Sequence, residues 1–290
     1  MLNFLKKLFL PITATLSFIQ NYLKSLIFIL VLIILFAPQG DNSIKAPNLA
    51  TVNLSGPIIS AEKVVKKLDD LSKDDRIKGV LLIVDSPGGA VAPSVEIAMA
   101  VKRLKAKKPV IAYAAGVMAS GSYYASIWAD KIIANPAATI GSIGVIMEGV
   151  NLHGLLSKVG VKPQVVKAGK YKEAGTPLRE WTEIEREMIE EHVLDIYQMF
   201  VEDVAKARHL DPKDSDKFAD AKIFIARKAK DRGLIDEVGS IQDAKELTKK
   251  LSGVQVARWK EKSKFEEFIE NLAQNSAKVF ISQINSWIIK

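Results

Sequence analysis

The chain has 290 residues, a formal net charge of +8 and no cysteine. Because 48% of its residues are hydrophobic, the composition excludes a wholly disordered protein. The absence of cysteine excludes disulfides, thiolate zinc sites and a cysteine nucleophile, and 3 histidines are too few for a typical multi-histidine metal site. We therefore expect one large domain or two small ones, with no metal ion and no other cofactor.

An uncharged apolar run, SLIFILVLIILFA, occupies residues 25–37. When it is extended back through LSFIQNYLK, it reaches the roughly 20 residues that a membrane-spanning helix needs. Lysines precede the run, and the first cation after it is Lys45, so the positive-inside rule places the N-terminus in the cytoplasm. We predict a cytoplasmic stub and a single-pass plasma-membrane anchor over residues 1–37; a cleaved signal peptide is the alternative.

Residues 38–48 are rich in proline, glycine and small polar residues, which is typical of a linker. Short apolar runs then alternate with amphipathic stretches, and the run GVLLIV is typical of a strand buried on both faces of a parallel sheet. This alternation predicts an α/β fold with a mostly parallel sheet, forming one domain over residues 49–252. The predicted elements are strands at Ala50–Leu54, Gly79–Val84, Val110–Tyr113 and Lys131–Ala134, and helices at Ala61–Leu71, at Ser94–Lys105, from Ser120, and at Trp181–Arg208.

The end of the chain, residues 253–290, is basic and carries apolar residues at helical spacing, so we expect a helical tail. Elsewhere the basic residues are interspersed with acidic ones rather than gathered on one face. The net charge is therefore weak evidence for nucleic-acid binding, and we expect no nucleic-acid partner.

Two glycine-bearing turns follow predicted strands, at the edge of the sheet where active sites of parallel sheets lie. The first turn is DSPGG at Asp85–Gly89. Its glycines have no side chains to cover the backbone N–H groups, and accessible N–H groups can bind an oxyanion. An ordinary tight turn is the alternative. In the second turn, Ser120 stands between a strand and a helix. It is either an N-cap or a nucleophile, for which the Gly121 N–H would serve as an oxyanion donor.

A nucleophilic serine needs a base, and none of the histidines lies near a strand-end turn. Lysine is the remaining option, in the Ser–Lys variant of triad chemistry. A lysine base must be neutral, which requires desolvation and cationic neighbours. The segment AGKYKEAGTP follows a predicted strand at Gln164–Ala168 and offers Lys170 and Lys172, although its composition alone favours a solvated basic loop.

In order and together, these motifs resemble those of signal peptide peptidase A, the membrane-anchored Ser–Lys serine peptidases, in their short form. The resemblance covers about residues 50–251. The motifs that carry it are DSPGG (Asp85–Gly89), ASGSYYAS (Ala119–Ser126), ATIGSIGVI (Ala138–Ile146), AGKYKEAGTP (Ala168–Pro177) and GLIDEVG (Gly233–Gly239).

The resemblance implies a role for each of five residues. Ser120 is the implied nucleophile, and Lys172, the lysine of a G-x-Y-K pattern, is the implied general base. Ser142 is implied to orient the lysine amine. The backbone N–H groups of Gly89 and Gly121 are implied to form the oxyanion hole.

The resemblance also implies a crotonase-like fold shared with the proteolytic subunit of Clp protease. Short-form members close into a dome-shaped homo-oligomeric ring in which the serine and the lysine come from adjacent protomers. With the predicted topology, the catalytic domain faces the periplasmic side of the membrane. The implied activity is that of a serine endopeptidase that degrades peptide substrates, namely remnant signal peptides left in the membrane after secretion.

Two alternative functions are compatible with the same fold. The chain is then either a crotonase-like acyl-CoA enzyme or a catalytically inactive membrane scaffold.

The chain also departs from the family pattern at two places. Ser122 stands where the family often has glycine, which is a small change on a helix. The sequence AKIFIA at residues 221–226 replaces a glycine–arginine start, where family members place substrate or interface contacts.

Overall fold

The computed structural model describes residues 17–29 and 46–260, and the chain divides into two units after residue 46. In the first unit, residues 17–29 are helical and are named α1. Within the two described ranges, no helix combines the length and the apolar character needed to cross a membrane. The other residues of the predicted anchor, most of the predicted linker and residues 261–290 of the predicted tail lie outside the described residues.

The second unit alternates strands and helices in the order that the sequence predicts. Its strands are β1 (Leu49–Ser55), β2 (Gly79–Ser86), β3 (Val110–Ala119), β4 (Lys131–Ala134), β5 (Thr139–Gly141), β6 (Ile223–Ile225), β7 (Glu237–Val238) and β8 (Trp259–Lys260). Its helices are α2 (Glu62–Lys73), α3 (Val91–Lys105), α4 (Gly121–Ser126), α5 (His153–Lys158), α6 (Glu183–Arg208), α7 (Ser215–Phe218), α8 (Ala226–Asp231) and α9 (Ile241–Leu251).

The strands form one mixed sheet in the order β6-β5-β3-β2-β1-β8, with β4 and β7 joined to it through β3. All pairings are parallel except β5 with β6, so the predicted mostly parallel sheet is confirmed for the described residues. Strand β3 holds a central place because its first half pairs with β4 and its last three residues pair with β5. The carboxyl ends of β2, β3 and β5 therefore meet at one edge of the sheet.

Both faces of the sheet are covered, which explains the continuous apolar run of β2. Val80, Leu82 and Val84 point into the main core, which includes buried residues of α2 and α3. Leu81 points to the other face, where it belongs to a smaller cluster with Ala244 of α9. A strand buried on two sides has no polar face, and so its sequence shows no alternation.

Three local predictions differ from the structure. Strand β3 continues past Tyr113 to Ala119, because β2 and β5 pair with its alanine- and glycine-rich end. Residues 164–168 form no strand; Val166 is fully exposed, and no described strand supplies hydrogen bonds to this segment. Residues 254–258 are not helical, and Trp259–Lys260 pairs with the start of β1.

Candidate active site

Ser120 lies where β3 ends and α4 begins, and its backbone adopts an unusual conformation. Its φ of 52° and ψ of −127° belong to a region that residues with a side chain rarely adopt, and such strain costs about 1–3 kcal/mol. Two hydrogen bonds hold the strained residue: its N–H donates to the Gly141 carbonyl at 2.8 Å, and its carbonyl accepts from the Tyr124 N–H at 3.0 Å. The Ser120 side chain makes no capping hydrogen bond to α4. The hydroxyl is therefore not used as an ordinary helix cap.

The DSPGG turn packs directly against this strained residue. Gly88 is buried at a φ of 93°, and a Cβ atom on it would lie 2.5 Å from the Gly121 nitrogen and 2.9 Å from the Ser120 Cβ. The turn is fixed on its other side by Ile58, which donates its N–H to the Gly88 carbonyl and accepts from the Ala90 N–H, both at 2.8 Å. Glycine at position 88 is thus required both by the backbone angle and by the close approach of the two turns.

The backbone amides of Gly89 and Gly121 lie close together, one in each of the two turns. The Gly89 nitrogen lies 3.3 Å from the position that a Cβ on Gly121 would occupy. Among the described residues, neither the Gly89 N–H nor the Gly121 N–H donates a hydrogen bond. Amides without a protein partner beside a serine are the donors that an oxyanion hole needs.

Ser142 reaches the same edge of the sheet through strand pairing. Ala119 of β3 pairs with Gly141 of β5, so Ser120 and Ser142 are the residues that directly follow a paired position. Ser142 also has a positive φ, 51°, and its N–H donates to the Lys222 carbonyl at 2.8 Å. Only the register of β3 and β5 brings the two serines together, because 22 positions of sequence separate them.

Lys172, the fifth predicted site residue, lies in an exposed turn in the structure of the single chain. It belongs to a turn in which its N–H donates to the Gly169 carbonyl at 3.4 Å, and its side chain is exposed. Within residues 17–29 and 46–260, no hydrogen bond or ion pair joins Lys172 to Ser120. The structure thus brings together four of the five predicted site residues and leaves the lysine outside.

The turn that carries Lys172 is tied to α6 by charged groups. Arg179 donates to the Glu173 carboxylate at 2.9 Å and to both carboxylate oxygens of Glu185 at 2.8 Å, and Lys167 also donates to Glu173 at 2.8 Å. The hydrogen bonds from Arg179 lower the pKa of Glu185 from 4.5 to about 2, and those from Lys167 and Arg179 lower the pKa of Glu173. This cluster keeps the Glu173 carboxylate engaged with partners other than its neighbour Lys172.

A small apolar cavity of about 30 Å³ opens beside Ser120. Its lining includes Val95 of α3, Val145, and Met199 and Phe200 of α6. Tyr124 of α4 also lines it, and the Tyr124 hydroxyl donates a hydrogen bond to the Asp203 carboxylate. Burial, followed by this hydrogen bond, raises the pKa of the Tyr124 phenol. A cavity of this size holds a group no larger than about one methyl group or one water molecule, so it fits the tip of a small apolar side chain next to the serine hydroxyl.

Two buried serines in these turns, Ser86 and Ser122, make hydrogen bonds that the sequence did not predict. The hydroxyl of Ser122 lies 2.6 Å from the Ser86 carbonyl oxygen and 2.9 Å from the Ala119 carbonyl oxygen. The only signal in the sequence was the presence of Ser122 where a glycine was expected. Asp203, the partner of Tyr124, gave no signal, because a carboxylate on a long helix is usually solvated.

Two protein-family profiles match the chain. The profile of peptidase family S49 matches residues 102–255, and that of the Clp protease family matches residues 50–140. The second match agrees with the expected α/β fold of the Clp protease type. A solved structure of a ClpP1 mutant from Listeria monocytogenes superposes with a TM-score of 0.48 at 19% identity, covering 67% of this chain and 93% of that one.

Three curated relatives resemble most of the second unit. A provisionally named protease of Methanocaldococcus jannaschii is 44% identical over 67% of this chain and 62% of its own length. A provisionally named signal peptide peptidase of Enterococcus faecium is 39% identical over 65% of this chain and 55% of its own length. A provisionally named protease of Synechocystis is 36% identical over 71% of this chain and 75% of its own length. The match thus spans about 55–62% of the first two relatives. From the profile match and these identities, the chain belongs to peptidase family S49.

Proposed function

We propose that this protein is a serine endopeptidase in which Ser120 is the nucleophile and Lys172 the general base. The observation that carries the proposal is the position of Ser120: strained, not used as a cap, and placed beside the two unpaired amides of Gly89 and Gly121. Membership of a peptidase family supports hydrolysis of a peptide bond at this site. The strain is held by the strands around it, which is the arrangement expected of a preorganised nucleophile.

The proposed reaction has two stages. The neutral Lys172 amine accepts the proton of the Ser120 hydroxyl while Oγ attacks the peptide carbonyl, and the Gly89 and Gly121 N–H groups stabilise the oxyanion. The C–N bond then breaks, and the lysine ammonium gives its proton to the leaving amine. In the second stage, Lys172 removes a proton from water while the water oxygen attacks the acyl carbon. The bond from that carbon to Ser120 Oγ then breaks, the lysine ammonium returns its proton to Oγ, and the peptide leaves with a new carboxyl terminus. We assign to Ser142 the role of orienting the lysine amine.

The exposed position of Lys172 supports a site shared between copies of the chain. A lysine acts as a base only when it is neutral, and burial favours the neutral form. The segment before Lys172 displays apolar side chains that a second copy would cover, since Ile146 is 72% exposed and Val150 is 68% exposed. We therefore propose a homo-oligomeric ring in which Lys172 of one protomer reaches Ser120 of the next and is desolvated there.

We further propose that residues 1–37 anchor the protein in the plasma membrane, with the N-terminus in the cytoplasm and the catalytic unit on the extracytoplasmic side. The proposed substrates are remnant signal peptides, whose apolar segments suit the apolar cavity beside Ser120. The name of the Enterococcus faecium relative is in keeping with this substrate class.

Labelling with a fluorophosphonate probe tests the serine and the lysine. The wild-type chain should be labelled, and labelling should disappear in Ser120→Ala and in Lys172→Ala. Ser60→Ala and Lys170→Ala are matched controls, because each removes the same kind of side chain from a position outside the proposed dyad, and both should be labelled like the wild type. Absence of labelling in the wild type, or its persistence in Ser120→Ala, would show that the assignment is wrong.

A mixing experiment tests the shared site. Ser120→Ala and Lys172→Ala chains, each inactive alone, should regain part of the peptidase activity when they are co-assembled. No recovery after verified co-assembly would place the serine and the lysine of each working site in the same protomer.

A further inference from the structure

Ser122, the second residue of α4, joins the two turns that carry the proposed oxyanion donors. Its side chain is fully buried. Its oxygen accepts the Ala119 N–H at 2.9 Å and lies 2.6 Å from the carbonyl oxygen of Ser86, at the end of β2. The Ala119 carbonyl is farther away, at 2.9 Å, so the single hydroxyl proton has its shortest contact with Ser86. One side chain therefore links the ends of β2 and β3.

The side chain of Ser86 continues this link to a third strand end. It is also fully buried, and its hydroxyl donates to the carbonyl of Gly56, the residue after β1, at 2.6 Å. The same oxygen accepts the N–H of Gly88 at 3.2 Å. Through its hydroxyl and its carbonyl, Ser86 thus connects Gly56, the DSPGG turn and the start of α4, and a buried, fully bonded network of this kind makes the backbone rigid.

Both proposed oxyanion donors are covalently next to this network. Gly121 immediately precedes Ser122, and Gly89 immediately follows Gly88, whose N–H and carbonyl are both bonded. The distance between the Gly89 and Gly121 amides therefore depends on the bond between Ser122 and Ser86. A displacement of one donor by a fraction of an ångström weakens stabilisation of an oxyanion, because hydrogen-bond energy falls steeply with distance and angle.

We propose that Ser122 is a positioning residue that holds the two amides at the separation that an oxyanion requires. This inference rests on the proposed function, since it presumes that the two amides act on a substrate bound to Ser120. Ser122 does not itself contact the reacting atoms; it acts through the backbone of both turns.

The chain provides a matched control for a purely structural role. Ser126 lies one turn further along α4, is equally buried, and donates its hydroxyl to the Ser122 carbonyl at 2.8 Å. Its hydrogen bond stays within α4 and reaches neither turn. Ser126→Ala removes one buried hydroxyl from the same helix and should lower Tm by about 2–4 °C. Ser122→Ala should lower Tm further, because it also takes a partner from the Ala119 N–H and from the Ser86 carbonyl.

The test measures covalent labelling of the full-length chain by a fluorophosphonate over a range of probe concentrations, which separates probe binding from the chemical step. In Ser122→Ala, the maximal labelling rate should fall about 10- to 100-fold, with half-saturation changed less than about 2-fold, since deleting an oxyanion donor outright costs about 100- to 1000-fold. Ser126→Ala should keep the wild-type rate within about 3-fold. Ser86→Ala keeps the backbone carbonyl that Ser122 bonds but removes the side-chain bonds to Gly56 and Gly88, so it loosens the Gly89 side of the same network and should also lower the rate, whether or not Ser122→Ala folds.

Three outcomes separate the hypotheses. A slow Ser122→Ala with a near-normal Ser126→Ala supports the positioning role. If the wild type is labelled at Ser120 and Ser122→Ala and Ser86→Ala are labelled as fast as Ser126→Ala, the positioning role is wrong and the proposed nucleophile stands. If the wild type is not labelled at all, both proposals are overturned.

Discussion

Alanine in place of Gly88 sets a methyl group against the backbone of the turn that carries Ser120. The added Cβ would lie 2.5 Å from the Gly121 nitrogen and 2.8 Å from the Ala119 carbonyl oxygen, and real Cβ atoms do not approach backbone so closely. At a φ of 93°, alanine also costs about 1–2 kcal/mol in backbone strain, and relief of the overlap adds about 1–3 kcal/mol. The expected loss is therefore about 2–5 kcal/mol, which lowers Tm by about 4–20 °C.

Two other glycines separate the contributions of strain and overlap. Gly160 has a φ of 73° with no atom near its would-be Cβ, so Gly160→Ala should show the strain alone. Gly154, in α5, has open space and no positive φ, so Gly154→Ala should be neutral or slightly stabilising.

Thermal unfolding and fluorophosphonate labelling together test whether Gly88 is packed against the turn that carries Ser120. Tm should decrease from Gly154→Ala to Gly160→Ala to Gly88→Ala, and Gly88→Ala alone should lose labelling, because its two turns must separate. A Gly88→Ala chain that is as stable as Gly160→Ala and is labelled at the wild-type rate would refute the close packing of the two turns.

Three further predictions concern stability. The lowered pKa of Glu185, about 2 against an ordinary 4.5, means that its charge stabilises the fold above about pH 4.5 and that this contribution is lost as the pH falls toward 2. Glu185→Gln should flatten the decline of Tm across that window, and parallel Tm curves for variant and wild type would contradict this. Tyr123→Phe removes a buried hydroxyl that donates to the Leu234 carbonyl at 2.7 Å, so the free energy of unfolding in urea should fall by about 1–3 kcal/mol; an unchanged midpoint would count against it. Ser240→Ala removes the capping box of α9 and should cost about 1 kcal/mol in thermal unfolding, whereas wild-type stability would show that the box contributes nothing.

Local sequence was sufficient to predict the strands and helices that have a continuous apolar run or a clear amphipathic periodicity. The apolar run at Gly79–Val84 lies within β2, and the amphipathic stretch at Ala61–Leu71 lies within α2 except for Ala61, which is the N-cap. The end of β3 was missed because alanine and glycine have low strand propensity, and pairing with β2 and β5 overrides that preference. Residues 164–168 show the opposite case: their composition suits a strand, but no described strand lies beside them.

In the candidate site too, some residues could be predicted from local sequence, whereas the contacts between them depend on how the strands pair. The glycines and Ser120 could be selected because each follows an apolar run, and parallel strands bring their carboxyl ends to one edge. The proximity of Ser142 depends on the register between β3 and β5, and the bond from Ser122 to Ser86 depends on where two strands end in space. Such contacts join residues far apart in the chain, so no local pattern specifies them.

By itself, the sequence determined the α/β class, the mostly parallel sheet, and the two glycine turns with the serine between a strand and a helix. The tertiary structure alone decided that Ser120 is strained and makes no capping bond, and that Lys172 is exposed in the single chain. It also decided that the Gly89 and Gly121 amides lie close together, with no partner among the residues that the structure describes. The physical reason is that periodicity and turn chemistry act over a few neighbouring residues, whereas backbone strain, unpaired donors and burial are set by strands that meet only after the sheet has formed.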